Sequence, residues 1–301
     1  MMPARLRLRG MSLLAPLAQT TELRQLRAPW APALCVVFAR HATGQPGTGT
    51  GPSAGSARLR ALGEVAEGLS LGPETHPDPV PARDAAGRIV LDDTRALPGP
   101  ESLGSEGTAA QDSDAAARLA AFCEAAERAA LALWWQGRLP GLICANPPEL
   151  AAYRAGHTGR RALCLALPFL PGLSVRVMLG DDGAGGQIAL GSAASPDPAR
   201  AAEAATREML QAELAWLAPA HHPDTPYRNH IQTSLAPRLP ALHAASPAAA
   251  EPSGKSLESL LGDLRATYGF SNLTSPQLQV PVWRFVCPDW PRCRPLLTPT
   301  D

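Results

Sequence analysis

One stretch of this chain occurs twice, and a pair of glutamates returns with it. Residues 117–128, ARLAAFCEAAER, run on to Trp135 without Gly or Pro, and a run of strong helix formers predicts a helix. Glu124 and Glu127 stand three apart and Arg128 is four after Glu124, so two carboxylates and a guanidinium share one side of that helix. Sixty residues earlier, residues 57–67 read ARLRALGEVAE, which places Ala57, Arg58, Leu59, Ala61, Glu64, Ala66 and Glu67 on identical residue types. An Ala- and Arg-rich chain makes similar helices by composition alone, but Ala abundance does not return a Glu pair at one spacing. The repetition therefore predicts four acids, Glu64, Glu67, Glu124 and Glu127, converging on one site. Hard cations such as Mg²⁺ are held by carboxylate oxygens, usually together with substrate phosphates.

A third helix is expected over residues 199–216, started by Ser195-Pro196-Asp197-Pro198 and carrying Glu208, Gln211 and Glu213. Aligning Glu208 with Glu124 puts Gln211 where Glu127 stands, so this is a third and diverged copy.

The 301 residues are enough for a large core and one or two domains. Charged residues make up 18% and hydrophobic ones 45%, as in ordinary globular proteins, while 32 Pro and 5% aromatics point to long loops. With a net charge of zero there is no global field to collect nucleic acid or an anionic membrane. The six cysteines, at 35, 123, 144, 164, 287 and 293, form no CxxC pair; each reads as a small buried hydrophobe or free thiol, which fits a reducing cytoplasm. The Arg-rich start has a short apolar run broken by Pro16, and no segment approaches the length of a membrane helix.

In chain order, residues 1–30 read as a partly ordered lead-in and residues 33–39 as a first strand. Residues 44–55 are a Gly-rich loop feeding the first repeat helix, a place where backbone amides can meet a phosphate. Residues 72–107 are loop-rich, with one strand at 87–92, and Asp112, Ser113 and Asp114 are capping residues for the central helix. Strands follow at 162–169 and in a hairpin of 174–179 with 187–192. His221, His222 and His230, with Asp224 and Tyr227, fall in a loop; their spacing does not match a helix-borne ligand pair, so solvated histidines are expected. Residues 244–256 are a low-complexity linker. Its Gly254-Lys255-Ser256 is no P-loop, because the required first glycine falls on Ala249 and no strand precedes it. An amphipathic helix at 256–268, a strand at 280–286 and a Pro-rich extended end complete the chain.

Taken together these motifs resemble those of the YcaO family of ATP-dependent peptide-backbone modifying enzymes. The family's SxxExxER reads Ala61-Leu62-Gly63-Glu64-Val65-Ala66-Glu67-Gly68 here. Its GTAA turn and ExxER read Gly107-Thr108-Ala109-Ala110 and Glu124-Ala125-Ala126-Glu127-Arg128. Its ExxQ, after a turn of Gly, small residues and Asp-Pro, reads Gly191 to Pro198 and then Glu208-Met209-Leu210-Gln211. Residues 272–276 and 280–288 resemble the family's late strand, so the likeness runs from about Pro32 to Pro288 in the right order.

The resemblance implies an α+β fold with repeated helix-and-strand units around mixed or antiparallel sheets, occupying residues 31–301. It implies Mg²⁺ bound by Glu64, Glu67, Glu124 and Glu127, and ATP bound through these together with Arg128, Glu208 and Gln211. The activity implied is modification of a ribosomally made peptide in a natural-product pathway. ATP activates a backbone amide, giving an azoline or a thioamide. Implied partners are the precursor peptide and a leader-binding or TfuA-like protein, with a homodimer as a further candidate. Nucleic acid and membrane are not expected, and a cytoplasmic location is. Three positions depart from the family: Ala61 stands for Ser, Gly68 for Arg and Thr50 for Lys. The usual C-terminal segment is also missing, Pro295 to Pro299 being a stub of it. These departures imply the alternative, a catalytically impaired YcaO-like scaffold or binding subunit of such a complex.

Overall fold

The computed structural model describes residues 14–72, 75–76, 78–94, 105–217, 225–244 and 254–292. In chain order the elements are α1 (Ala15–Gln19), β1 (Thr21–Ala28), β2 (Ala31–His41), β3 (Pro46–Gly51), α2 (Ala54–Leu71), β4 (Ala82–Arg83), β5 (Ile89–Leu91), β6 (Thr108–Ala110), α3 (Asp114–Trp135), β7 (Leu142–Cys144), α4 (Pro148–Arg154), β8 (Arg161–Leu170), β9 (Leu173–Asp181), β10 (Ala189–Ser195), α5 (Pro198–Leu214), α6 (Thr225–Leu235), α7 (Leu239–Ala244), α8 (Leu257–Gly262), β11 (Gly269–Asn272) and β12 (Val282–Val286). Helices and antiparallel sheets are mixed, an α+β fold. The chain divides into two compact units, and the division falls inside α3, between Ala125 and Ala126. Among the described residues no helix is long and apolar enough to cross a membrane.

The first unit contains most of a sheet ordered β1-β2-β3 and all of a second ordered β5-β4-β11-β12-β6. Part of the expected lead-in is thus the helix α1 and the edge strand β1. The Gly-rich stretch expected as a loop is also a strand, β3, paired antiparallel with β2. Its glycines answer to packing rather than to a turn. A Cβ on Gly47 would lie 2.3 Å from the Ala61 carbonyl oxygen, and one on Gly49 2.0 Å from that of Ala57, so the backbone of α2 rests directly on β3. Ala57, Ala61, Leu62, Val65 and Ala66 of α2 form a core with Leu17, Val37, Ala39 and Val280. The GTAA stretch, expected as a turn, is strand β6. It pairs antiparallel with β12, Ala109 opposite Trp283. Phe122, Phe270 and Phe285 meet edge to face beside this sheet.

The second unit is built on the antiparallel sheet β10-β9-β8-β7 with α5 packed against β9 and β10. All nine residues of β9 are buried, as its near-continuous apolar sequence requires when both faces are covered. Glu213, at the end of α5, is fully buried between two arginines: Arg154 Nη2 and Arg160 Nε each lie 2.8 Å from its Oε1. Gly180 of β9 makes room for it, since a Cβ there would stand 2.6 Å from the same oxygen. Cys144 and Cys164 are register partners on β7 and β8, free thiols with their sulfurs 3.4 Å apart.

Two further expectations change here. Tyr227 and His230 sit on α6 rather than in a loop, His230 stacked on Trp135 with ring centroids 5.9 Å apart; His221, His222 and Asp224 lie outside the described residues. The helix expected over 256–268 stops at Gly262, where the Asp263 amide closes back on the Ser259 and Leu261 carbonyls. Most of the expected linker, residues 245–253, also lies outside the described residues.

The sequence repeat extends backwards from each helix into the strand before it. Gly47-Thr48 of β3, Gly107-Thr108 at β6 and Gly191-Ser192 of β10 occupy equivalent positions, and each precedes a helix start at Ser53, Ser113 or Asp197. The three starting residues take backbone amides on their side chains: Ser56 on Ser53, Ala116 on Ser113, Ala199 and Arg200 on Asp197. Crowding recurs at the glycines as well. A Cβ on Gly107 would lie 3.2 Å from Ala125 Cβ, and one on Gly191 2.1 Å from the Met209 amide nitrogen. In the first and third copies a Gly-containing strand is pressed on the helix that follows it, and in the second Gly107, just before β6, comes close to Ala125 of α3.

Candidate functional site

In the first and third copies the acid that begins the Glu-x-x-Glu or Glu-x-x-Gln is held by the strand of its own copy. In the first copy the Thr48 amide donates to Glu64 Oε2 at 2.8 Å; in the third, the Ser192 amide donates to Glu208 Oε2 at 2.8 Å, across the same separation of 16 residues. The second acids are held by the strand of the next copy. Glu67 Oε1 accepts the Ala110 amide of β6 at 2.8 Å, and Glu127 Oε1 accepts the Ser192 hydroxyl of β10 at 2.7 Å.

In the first unit Glu64 and Glu67 are one turn apart on α2. Burial of the Glu67 carboxyl raises its pKa from 4.5 to about 8; the Ala110 amide opposes the rise and the charge on Glu64 adds to it. Without a cation, then, this pair does not carry two negative charges at neutral pH. Glu124, half-buried, lies on α3 at the end of the same unit.

In the second unit Glu127, Arg128, Ser192 and Glu208 form one cluster. Arg128 Nη1 is 3.3 Å from Glu127 Oε1, and Nη2 is 4.0 Å from Glu208 Oε1. Glu127 and Ser192 are buried, while Arg128 and Glu208 keep part of their surface. Gln211 is half-buried one turn beyond Glu208 on α5. Glu213, which shares that helix, belongs to the buried arginine cluster instead.

Among the described residues no group of three or more His, Cys, Asp or Glu is placed to hold a metal ion. The carboxylates of α2 come as a pair, and a pair fits Mg²⁺, which needs only one or two carboxylates beside its waters and a substrate's phosphates. Both carboxylates are also fixed in place by main-chain amides, Glu64 by Thr48 and Glu67 by Ala110, which presets the pair for such an ion.

Ser192 and the Thr48 and Ala110 amides were not among the residues expected from sequence. For Thr48 and Ser192 the signal is a Gly followed by Thr or Ser, 16 residues ahead of the first acid of the copy; Ala110 stands two residues past the corresponding Thr108. At the departing positions, Ala61 is fully buried under β3, and the space above Gly68 is filled by Gln45, whose Nε2 would stand 2.0 Å from a Cβ there. Thr50 is buried and its carbonyl accepts Arg60 Nη1 at 2.6 Å, which brings a guanidinium to that end of β3.

The Glu67 shift has a definite sign in stability. The folded chain holds this proton more tightly than the unfolded chain, so the contribution is complete below about pH 4.5 and is lost as pH rises through about 8. Unfolding in chelator should therefore show stability declining over that window by a few kcal/mol. Glu67→Gln should flatten the decline, and an equal slope in the variant would assign it to other groups.

A family model described as YcaO cyclodehydratase, ATP- and Mg²⁺-binding, matches residues 102–290. Among solved structures, a heterocyclase in complex with substrate and cofactor superposes with a TM-score of 0.69 at 17% identity, covering 96% of this chain and 52% of that one. The chain thus spans about half the heterocyclase's length. YcaO from Methanopyrus kandleri, bound with AMPPCP and Mg²⁺, gives a TM-score of 0.70 at 17% identity over 92% of this chain and 90% of that one. The E. coli microcin synthetase McbBCD complex gives 0.62 at 13% identity over 89% and 88%. At these identities the likeness is one of fold. A comparison with curated proteins finds no match.

Proposed function

We propose, since the chain belongs to the YcaO family of ATP- and Mg²⁺-binding cyclodehydratases, that it binds Mg·ATP and uses it to activate a backbone amide of a ribosomally made peptide. The observation that carries this reading is the coupled carboxylate pair of α2, Glu64 and Glu67, each fastened to a main-chain amide. Glu64, Glu67, Glu124 and Glu127 are assigned as Mg²⁺ ligands, and Arg128, Glu208 and Gln211 as contacts of the nucleotide. The cation, when bound, neutralises phosphate charge as the phosphoryl group moves.

The chain's own residues position the parts. The Thr48 and Ala110 amides fix the two carboxylates of α2 before any ligand arrives. Ser192 fixes Glu127 and Glu208 together, and Glu127 and Glu208 orient Arg128. In the reaction the amide oxygen takes the terminal phosphoryl group of ATP and ADP leaves. A nucleophile on the peptide adds to the carbonyl carbon and gives up its proton, and the oxygen departs as phosphate; where an azoline forms, the amide nitrogen also releases its proton as the C=N bond closes. A Cys, Ser or Thr nucleophile closes an azoline; a sulfur donor gives a thioamide. The precursor peptide and a leader-binding or TfuA-like protein are the proposed partners, and a homodimer and a cytoplasmic location belong to the same proposal.

A second reading is favoured by Ala61 and by Gly68 with Gln45 over it, which leave the first motif without a hydroxyl and a cation: a scaffold or binding subunit without turnover. One pair of measurements separates the two. Calorimetry with Mg·ATP is expected to give micromolar binding, about 8 kcal/mol, abolished in Glu124→Ala/Glu127→Ala. ATP consumption should then depend on the peptide and partner. Binding without such consumption selects the scaffold, and no binding by the wild type refutes the Mg·ATP assignment.

A further inference from the structure

Two hydroxyls on the elements around Glu67 have no hydrogen-bond partner among the described residues, although both are buried: Thr108 Oγ1 on β6 and Ser70 Oγ on α2, in residues 1% and 0% exposed. An interior hydroxyl left unbonded is costly and is usually satisfied by protein or by something bound. Ser70 is one turn beyond Glu67 on its own helix. Thr108 comes from the facing strand. Side chains two apart on a strand share a face, and Ala110 packs against the core formed by Leu62, Val65 and Ala66 of α2, so Thr108 also faces the helix that carries Glu67.

The third copy shows what a hydroxyl does at this position. Ser192, the counterpart of Thr108, donates to Glu127, the second acid of the copy before it, at 2.7 Å. By the same relation Thr108 belongs to Glu67, the second acid of the first copy, which the β6 amide of Ala110 already holds. Unlike Ser192, Thr108 has its hydroxyl still to be bonded.

We propose that Thr108 is a further ligand-binding residue, its hydroxyl reserved for an oxygen that arrives with Mg²⁺ at Glu67. That oxygen is a water of the cation's shell or a phosphate oxygen of the nucleotide. The proposal rests on the assignment of Glu64 and Glu67 as cation ligands.

The test uses the full chain as wild type, Thr108→Val and Thr108→Ser. Melting temperature is read in chelator, and affinity is read for Mg²⁺ alone and for a non-hydrolysable ATP analogue with Mg²⁺. Valine keeps the shape and removes the unbonded hydroxyl, so it should melt at or above the wild type in chelator. It should bind the Mg²⁺–analogue pair about tenfold or more weakly, while serine binds as the wild type does. Weakening already present with Mg²⁺ alone identifies a water of the cation; weakening only with the analogue identifies a phosphate oxygen. A valine variant that binds as tightly as the wild type overturns the inference and leaves the Mg·ATP assignment standing. So does one that melts well below the wild type in chelator, because the hydroxyl is then already bonded. A wild type that binds neither probe overturns both.

Discussion

Gly191→Ala is expected to lower stability by about 4 kcal/mol or more, a loss as large as point substitutions reach, because a backbone would have to move. A Cβ at this position would sit 2.1 Å from the Met209 amide nitrogen and 2.3 Å from the Ala205 carbonyl oxygen, both main-chain atoms of α5. Neither side can yield easily. Gly191 is tied into the ladder opposite Met178 of β9, and α5 is pinned at its start by Asp197. Separating strand from helix would also draw the Ser192 amide away from Glu208, a contact of 2.8 Å, so nucleotide binding should fall with stability. Gly63→Ala supplies the contrast: it lies inside α2 with nothing within 4 Å of its added Cβ, and alanine there should add about 0.5–1 kcal/mol. Urea unfolding of the two variants beside the wild type measures both. An unchanged midpoint for Gly191→Ala would mean that α5 does not rest on β10.

Glu213→Ala is expected to cost about 3–5 kcal/mol, the usual penalty for stripping a buried ion cluster of its counter-charge. Among the described residues it is the only acid paired with these two arginines. The side chains of Arg154, Arg160 and Glu213 are 7%, 4% and 0% exposed, so water cannot take over the lost partner. What remains to Arg160 is Gln187, whose carbonyl accepts its Nη2 at 2.7 Å, and the face of Trp30, 5.0 Å from its Cζ. Arg154 keeps the Trp30 carbonyl at 3.4 Å. These contacts hold the guanidinium groups in place without cancelling their charge. Denaturant unfolding tests this too, and a loss under about 1 kcal/mol, the size of a surface pair, would mean that solvent reaches the cluster.

The two repeat helices and their acid pairs were legible in the sequence because residues 114–135 and the repeat at 57–67 combine good helix formers with a spacing that composition does not produce. The hairpin of β9 and β10 was legible from its Gly-rich turn. Strand β3 was not. Three glycines in six residues signal a loop locally, and the demand for them comes from a helix that packs on the strand. Ser192 was hidden for a related reason: its partner Glu127 is 65 residues away, and the Gly-Ser step that marks it gains meaning only once the three copies are aligned. Glu213 read as one more charge on a helix face, because the arginines that bury it come from α4 and the start of β8.

The fastening of each second acid by the next copy sets the order in which the chemistry can mature. Glu67 meets its amide 43 residues further along the chain, and Glu127 its hydroxyl 65 residues further. A nascent chain that has just emerged through α2 therefore lacks the amide that holds Glu67, and one that has emerged through α3 is still short of Ser192. Synthesis must thus pass β10 before both second acids have the partners that hold them.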